Sequence, residues 1–105
     1  MSTVRLVDGT WSTEASRAAT FGERFRGLRG EDADTRLLFE TSSVHTFGMT
    51  RSISVVMIDY ELRVVRAQTL SPNRVVFEPR ARFILEMPDH SDLPALGSAV
   101  EIVDV

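Results

Sequence analysis

Histidine is the side chain best suited to proton transfer and metal ligation near neutral pH, and this chain has two, His45 and His90. His45 opens the loop His45-Thr46-Phe47-Gly48-Met49. To act as a general base it needs a nucleophile and an orienting group within reach. Ser42, Ser43 and Thr46 flank it, but no Gly-x-Ser-x-Gly elbow surrounds them, so a hydrolase triad is not indicated. The competing role, an imidazole that bonds a loop carbonyl and orders the turn, carries more weight. His90 sits in Asp89-His90-Ser91-Asp92, which with Glu86 and His45 could supply metal ligands. That spacing matches no specific ligand pattern and reads as a polar surface turn. No metal site and no cofactor is expected.

Two further groups invite a binding role. Phe47 and Met49 alternate with Gly48, so both side chains are expected to project to one side: an apolar lining for a small pocket or partner groove, opened where Gly48 lacks a side chain. Ordinary core packing is the structural alternative. Arg24 and Glu86 are each embedded in apolar sequence, where an unpaired charge is costly. A buried ion pair between helix and sheet is favoured over a contact from Arg24 to a ligand carboxylate.

These side chains need supports. The loop runs into Ile53 to Ile58, the most continuous apolar segment, which reads as a strand covered on both faces and so as the centre of a sheet. Thr3 to Val7 is a strand ended by Asp8-Gly9, and Trp11 to Ala19 pairs back with it. Thr20 to Gly30 reads as the one helix, with a Thr20/Glu23 capping box, an apolar face of Phe21, Phe25 and Leu28, and Gly30 as its stop. Leu37 to Glu40 is a short strand, followed by a loop at Thr41-Ser42-Ser43. After a reversal at Asp59-Tyr60-Glu61, Leu62 to Leu70 returns as a strand. Arg63 and Arg66 fall on its opposite faces, so it twists, bulges or lies at an edge. Ser71-Pro72-Asn73 is a turn, Val75 to Phe77 and Ala81 to Met87 are strands, and Leu93 to Leu96 forms one helical turn before a final strand, Ala99 to Val105.

Composition narrows the classes. At 105 residues, 43% hydrophobic and 26% charged, the chain suits one soluble domain, residues 1–105. No apolar run approaches the roughly 20 residues of a membrane helix, and no basic leader with an apolar core opens the sequence. With no cysteine there is no disulfide framework or Cys-type zinc site, and a cytoplasmic location is expected. All twelve basic residues are Arg, scattered among fifteen acids, and a net charge of −3 argues against a nucleic-acid footprint.

The motifs in order resemble the small bacterial family known as domain of unknown function 192. Arg24, Gly27 and Leu28 match its R-x-x-G-L, Leu37-Leu38-Phe39 its apolar strand, and His45 to Met49 a variant of its loop in which Gly replaces a Trp. Val55 to Asp59, Leu85-Glu86 and Leu96-Gly97 with Val100 continue the match over roughly 80 residues. This chain departs at Ser52-Ile53-Ser54, where many relatives carry Pro, an aliphatic residue and Asp, and at Arg51, where an aromatic is common. It also has Leu62 where relatives tend to have Gly, which predicts a different turn geometry, since Leu tolerates positive φ poorly. The resemblance implies a fold and a candidate site, not an activity. The expected fold is α+β, mostly β: a bent antiparallel sheet or small barrel-like sheet of about six to eight strands with one short helix. The expected role is a non-catalytic binding or accessory module that uses the 44–51 loop as its contact surface, with His45, Phe47, Gly48, Met49, Arg24 and Glu86 as candidate binding residues. The partner is expected to be a small molecule or a protein, with no nucleic acid and no membrane. The alternative is a small hydrolase or metal-dependent enzyme with His45 in its site.

Overall fold

A run of alternating apolar side chains that is buried on both faces must be covered twice, and Ile53–Asp59 sets that requirement here: its first six residues are all buried. The computed structural model describes residues 2–18 and 35–105. The expected helix at 20–30, with Arg24, lies outside the described residues. Among the described residues every regular element is a strand: β1 (Thr3–Val7), β2 (Ser12–Arg17), β3 (Leu37–Phe39), β4 (Ser43–His45), β5 (Ile53–Asp59), β6 (Val64–Leu70), β7 (Val75–Phe77), β8 (Ala81–Pro88) and β9 (Glu101–Asp104). Seven of them form one sheet in the order β6-β5-β8-β3-β2-β1-β9, and β4 and β7 form a separate two-stranded ribbon. The protein is therefore mostly β, as expected. β4, which carries His45, was read from the sequence as loop.

The residues of β5 divide by alternation. Ile53, Val55 and Met57 join Leu37, Phe39 and Ile84 in a first core, which the ribbon covers with Val44 and Val76 and the loop with Met49. Val56 and Ile58 face a second core with Leu38, Phe83, Leu85, Val4 and Leu6, completed by Val100. The expected burial on both faces is thus present. Its expected place at the centre of the sheet is not: β5 is one strand from the β6 edge, and the middle position belongs to β3.

Three other expectations need correction. The sheet is mixed rather than antiparallel, because β2 and β3 run parallel, with Ser16 opposite Leu37 and Arg17 opposite Leu38. A parallel pair needs a long connection that returns the chain to the same end, which residues 18–36 supply. The sheet also stops short of a closed barrel. Among the described residues its margins meet at one end, through the bridge Arg63–Ala99 and the bonds Val64 N–H to Ser98 O (3.0 Å), Gly97 N–H to Val64 O (2.8 Å) and Val100 N–H to Leu62 O (2.7 Å). Gly97, at φ +83°, turns the chain into this contact, whereas β9 beyond it ladders onto β1 alone. Finally, Leu93 to Leu96 makes no helical turn. Pro94 lacks an N–H, Leu93 packs on the second core, and Leu96 is exposed.

The β5–β6 hairpin resolves the conflict between Arg63 and Arg66. Met57 pairs with Arg66 but Ile58 pairs with Val64, so Val65 is an extra residue, a bulge in an edge strand. The connecting turn keeps a left-handed residue even though it is leucine: Leu62 sits at φ +62°, a conformation costing about 1–2 kcal/mol for an L-residue. Two features hold it there. Asp59 Oδ1 accepts the N–H groups of Glu61 and Arg63, both at 2.9 Å, and the Leu62 side chain packs on the second core. The expectation that leucine avoids positive φ at this turn is therefore not met.

If the second core is packed as described, Ile58→Ala, which empties a fully buried position, should lower unfolding free energy by about 2–5 kcal/mol. Denaturant titration measures this, and a loss below about 1 kcal/mol would mean that face is not packed.

Candidate functional site

The loop between β4 and β5 is fixed by a threonine. Thr46 is fully buried, and its hydroxyl donates to Ser71 O at 2.7 Å and accepts the Arg74 N–H at 2.8 Å. Its own N–H donates to Arg74 O (2.9 Å), and its carbonyl accepts from Asn73 (3.1 Å) and Met49 (3.3 Å). One residue thus ties the loop to the 71–74 turn, where Asn73 takes φ +62°. The bond from Met49 to Thr46 closes a four-residue turn, and Gly48 at φ +79° occupies the position that demands positive φ. Gly48 is thereby accounted for by backbone geometry.

The turn separates the two residues expected to project together. Phe47 is 52% exposed, whereas Met49 is buried in the first core. Phe47 instead stacks on His45, with ring centroids 5.3 Å apart and planes at 28°. His45 is half-buried, and its Nδ1 faces the interior. The ribbon register places His45 opposite Val75 and Ser43 opposite Phe77, while Val44 and Val76 point into the first core. The outer face of the ribbon therefore presents Val75 and Phe77, 59% and 62% exposed, beside the His45–Phe47 pair. The sequence reading missed Thr46, Val75 and Phe77 as site residues. Val75-Val76-Phe77 is apolar throughout, so only the pairing with β4 reveals which side chains face out.

The other candidates lie elsewhere. Glu86 is buried in β8, in register with Val55 and Leu37. Its proposed partner Arg24 is outside the described residues. Ser54 alternates with Ile53 and Val55, so it lies on the second-core face, away from the ribbon; its hydroxyl donates to Asp89 O at 3.2 Å. The position that carries a carboxylate in many relatives of the resembled family is here a buried, hydrogen-bonded side chain. His90 is an exposed turn residue whose Nδ1 lies 3.6 Å from Asp89. Among the described residues no three His, Asp or Glu side chains gather as a metal-binding group, and no helix is long and apolar enough to cross a membrane.

A buried carboxylate braces the far end of the ribbon. Glu78 accepts from Arg80 Nε (2.9 Å), Arg80 Nη2 (3.1 Å), the Arg80 backbone N–H (3.2 Å) and Arg66 Nε (3.2 Å). Its own N–H donates to Ser42 O at 2.9 Å. The Arg80 guanidinium and backbone, helped by Arg66, hold its carboxyl down at about 2. The clamp links β6, β7 and the β7–β8 turn at the point where the ribbon leaves the main sheet.

This assembly, a curled mixed sheet with a small two-stranded ribbon and an aromatic loop, is that of a β-rich protein. The chain belongs to the UPF0127 family: it is 37% identical over 87 residues to UPF0127 protein PH1112 of Pyrococcus horikoshii, covering 75% of this chain and 76% of that protein. No family model matches it. Two solved structures share the fold. A protein of unknown function from Novosphingobium aromaticivorans aligns with a TM-score of 0.65 at 12% identity, over 94% of this chain and 83% of that one. A protein from Sinorhizobium meliloti, described as a proposed transcription regulator, aligns with a TM-score of 0.66 at 15% identity, over 95% and 92%.

Two outcomes test the geometry. Thr46→Val keeps the shape but removes the bonds to the Arg74 N–H and the Ser71 carbonyl, and should cost about 1–3 kcal/mol, with Thr46→Ser recovering most of it; equal stability of Val and Thr would remove the threonine from its central role. For Glu78, a folded pKa of about 2 against an ordinary 4.5 means that its stabilisation is complete above the ordinary value and is lost as pH falls toward 2. The stability gap between the parent and Glu78→Gln, measured by denaturation along a pH series, should therefore close across that window. A constant gap would contradict the clamp.

Proposed function

We propose that the protein is a non-catalytic binding or accessory module whose contact surface is the loop at 44–51. The observation that carries this reading is the stacked His45–Phe47 pair, with Phe47 half exposed on a loop that Thr46 makes rigid. An aromatic ring held in water-facing geometry loses little entropy on contact, which is what a recognition residue requires. His45 beside it adds one polar handle to an otherwise apolar patch. The partner is a protein or a small molecule. Within this reading Gly48 sets the turn, Met49 anchors the loop to the core, and the buried Glu86 belongs to the supporting structure rather than the contact. The motif order that resembles domain of unknown function 192 supports placing the chain in that finer group.

Titration of isotope-labelled protein with a panel of fragments and peptides, followed by amide shifts, tests this. Shifts should concentrate at residues 44–51 and the adjoining 71–77 turn and ribbon. His45→Ala and Phe47→Ala should each weaken binding while leaving the fold intact, and Phe47→Ala, at an exposed position, should change stability by no more than about 0.5 kcal/mol. Shifts confined to residues 88–96, with the loop silent, would overturn the placement.

A further inference from the structure

The ribbon has an open edge as well as an exposed face. In an antiparallel pair, residues whose backbone groups bond to the partner strand alternate with residues whose groups point away. Glu78 N–H bonds Ser42 O and Thr46 N–H bonds Arg74 O. The intervening register therefore makes Val44–Val76 the bonded pair. The N–H and C=O groups of Val75 and Phe77 then point away from β4, and β7 pairs with no strand on that side among the described residues. The same two residues are the ribbon's exposed large apolar side chains.

Charge gives the partner a sign. Although the chain carries a net charge of −3, residues 41–51 and 71–77 contain no Asp or Glu, while they include Arg51 and Arg74. These stretches build the ribbon, its loop and the turn between β6 and β7. Arg74, the residue just before β7, is exposed and has no ion-pair partner among the described residues. A strand edge flanked by arginine and by exposed Val and Phe side chains suits an extended polypeptide that alternates acidic and apolar residues.

Resting on the contact surface proposed above, we infer that the β7 edge receives an extended acidic segment of a partner protein, which adds as a third strand to the ribbon. Main-chain bonds to Val75 and Phe77 supply the affinity, and Arg74 selects for acidic residues. Alternate apolar side chains of the segment lie against Val75, Phe77 and the Phe47 ring. Nucleic acid fits this edge less well. It has no peptide groups to match a strand, and a pair of arginines on an acidic chain gives a weak phosphate footprint.

The test uses three short blocked peptides: one alternating glutamate with valine and phenylalanine, one with lysine in place of glutamate, and the glutamate peptide N-methylated at alternate residues. Each is titrated into isotope-labelled protein, with a single-stranded oligothymidylate as a fourth arm. The expected result is amide shifts at Arg74 to Phe77 and at Thr46 and Phe47 with the glutamate peptide. Its affinity should exceed that of the lysine peptide by about tenfold or more, and N-methylation should abolish binding. Arg74→Glu should reverse the preference between the two charged peptides. Val75→Pro, which removes only an outward N–H if the register is right, should fold yet bind more weakly than Val75→Ala; failure to fold would contradict the open edge. Equal binding by the lysine or N-methylated peptide, or preference for the oligonucleotide, would overturn the acidic strand while leaving the contact surface standing, provided the shifts stay on the ribbon. Shifts elsewhere, or none at millimolar glutamate peptide, would overturn this inference, and shifts confined elsewhere would remove the contact surface too.

Discussion

A strand that is apolar on both faces forces the rest of this molecule into being. β5 buries its first six residues, and neither face can be left to water at roughly 25 cal/mol for each Å² of apolar surface. One face is covered by the curl of the main sheet, which brings β1, β2 and the segment before β9 over Val56 and Ile58. The other is covered by a ribbon too short to persist alone, held over Ile53, Val55 and Met57 by Val44, Val76 and Met49. The candidate site is therefore a by-product of coverage. The ribbon exists to close the first core, and the backs of the residues that do so are what it shows to solvent.

That arrangement explains why the site is polar in its anchoring and apolar in its display. Thr46 and Glu78 stand near opposite ends of the ribbon, and each satisfies several backbone or arginine donors. With both ends fixed by hydrogen bonds, the middle residues are free to be Val and Phe without needing to bury them. Unconstrained exposed aromatic residues would collapse onto the nearest apolar surface. These are held away from it by the pleat, because Val44 and Val76 already occupy the inward positions.

Much of the strand layout was legible in the sequence because it rests on local patterns. β1, β5, β6 and β8 followed from alternation and apolar runs, and the Arg63/Arg66 conflict pointed to a twist, a bulge or an edge, of which β6 shows a bulge at an edge. What was not legible depends on contacts distant in sequence. Thr46 gains its role from Ser71 and Arg74, some way along the chain, and nothing about an isolated threonine announces that. β4 was read as loop because three residues carry no period until β7 pairs with them. The parallel β2–β3 pair is invisible to periodicity, which reports faces and not directions. Leu62 misled for a different reason: steric preference for glycine at positive φ is real, but burial of the side chain and two bonds from Asp59 offset it. Phe47 and Gly48 do lie in the loop, whereas His45 ends β4 and Met49 sits on the other side of its turn from Phe47.

The pairing of β1 with β9 has a mechanical meaning. Val4 lies opposite Asp104 and Val7 opposite Glu101, and Val105 N–H bonds Thr3 O at 3.1 Å. Residues 3 and 105 therefore sit side by side at the same end of an antiparallel pair whose bonds run perpendicular to the strands. A pull that separates them loads those bonds one after another, like a zip, instead of shearing the whole ladder at once. The protein should yield at low force from that corner, β9 peeling away first, while the doubly covered β5 and its neighbours stay intact. A protease or translocase that grips the chain at either of these strands would thus meet a seam that opens one bond at a time.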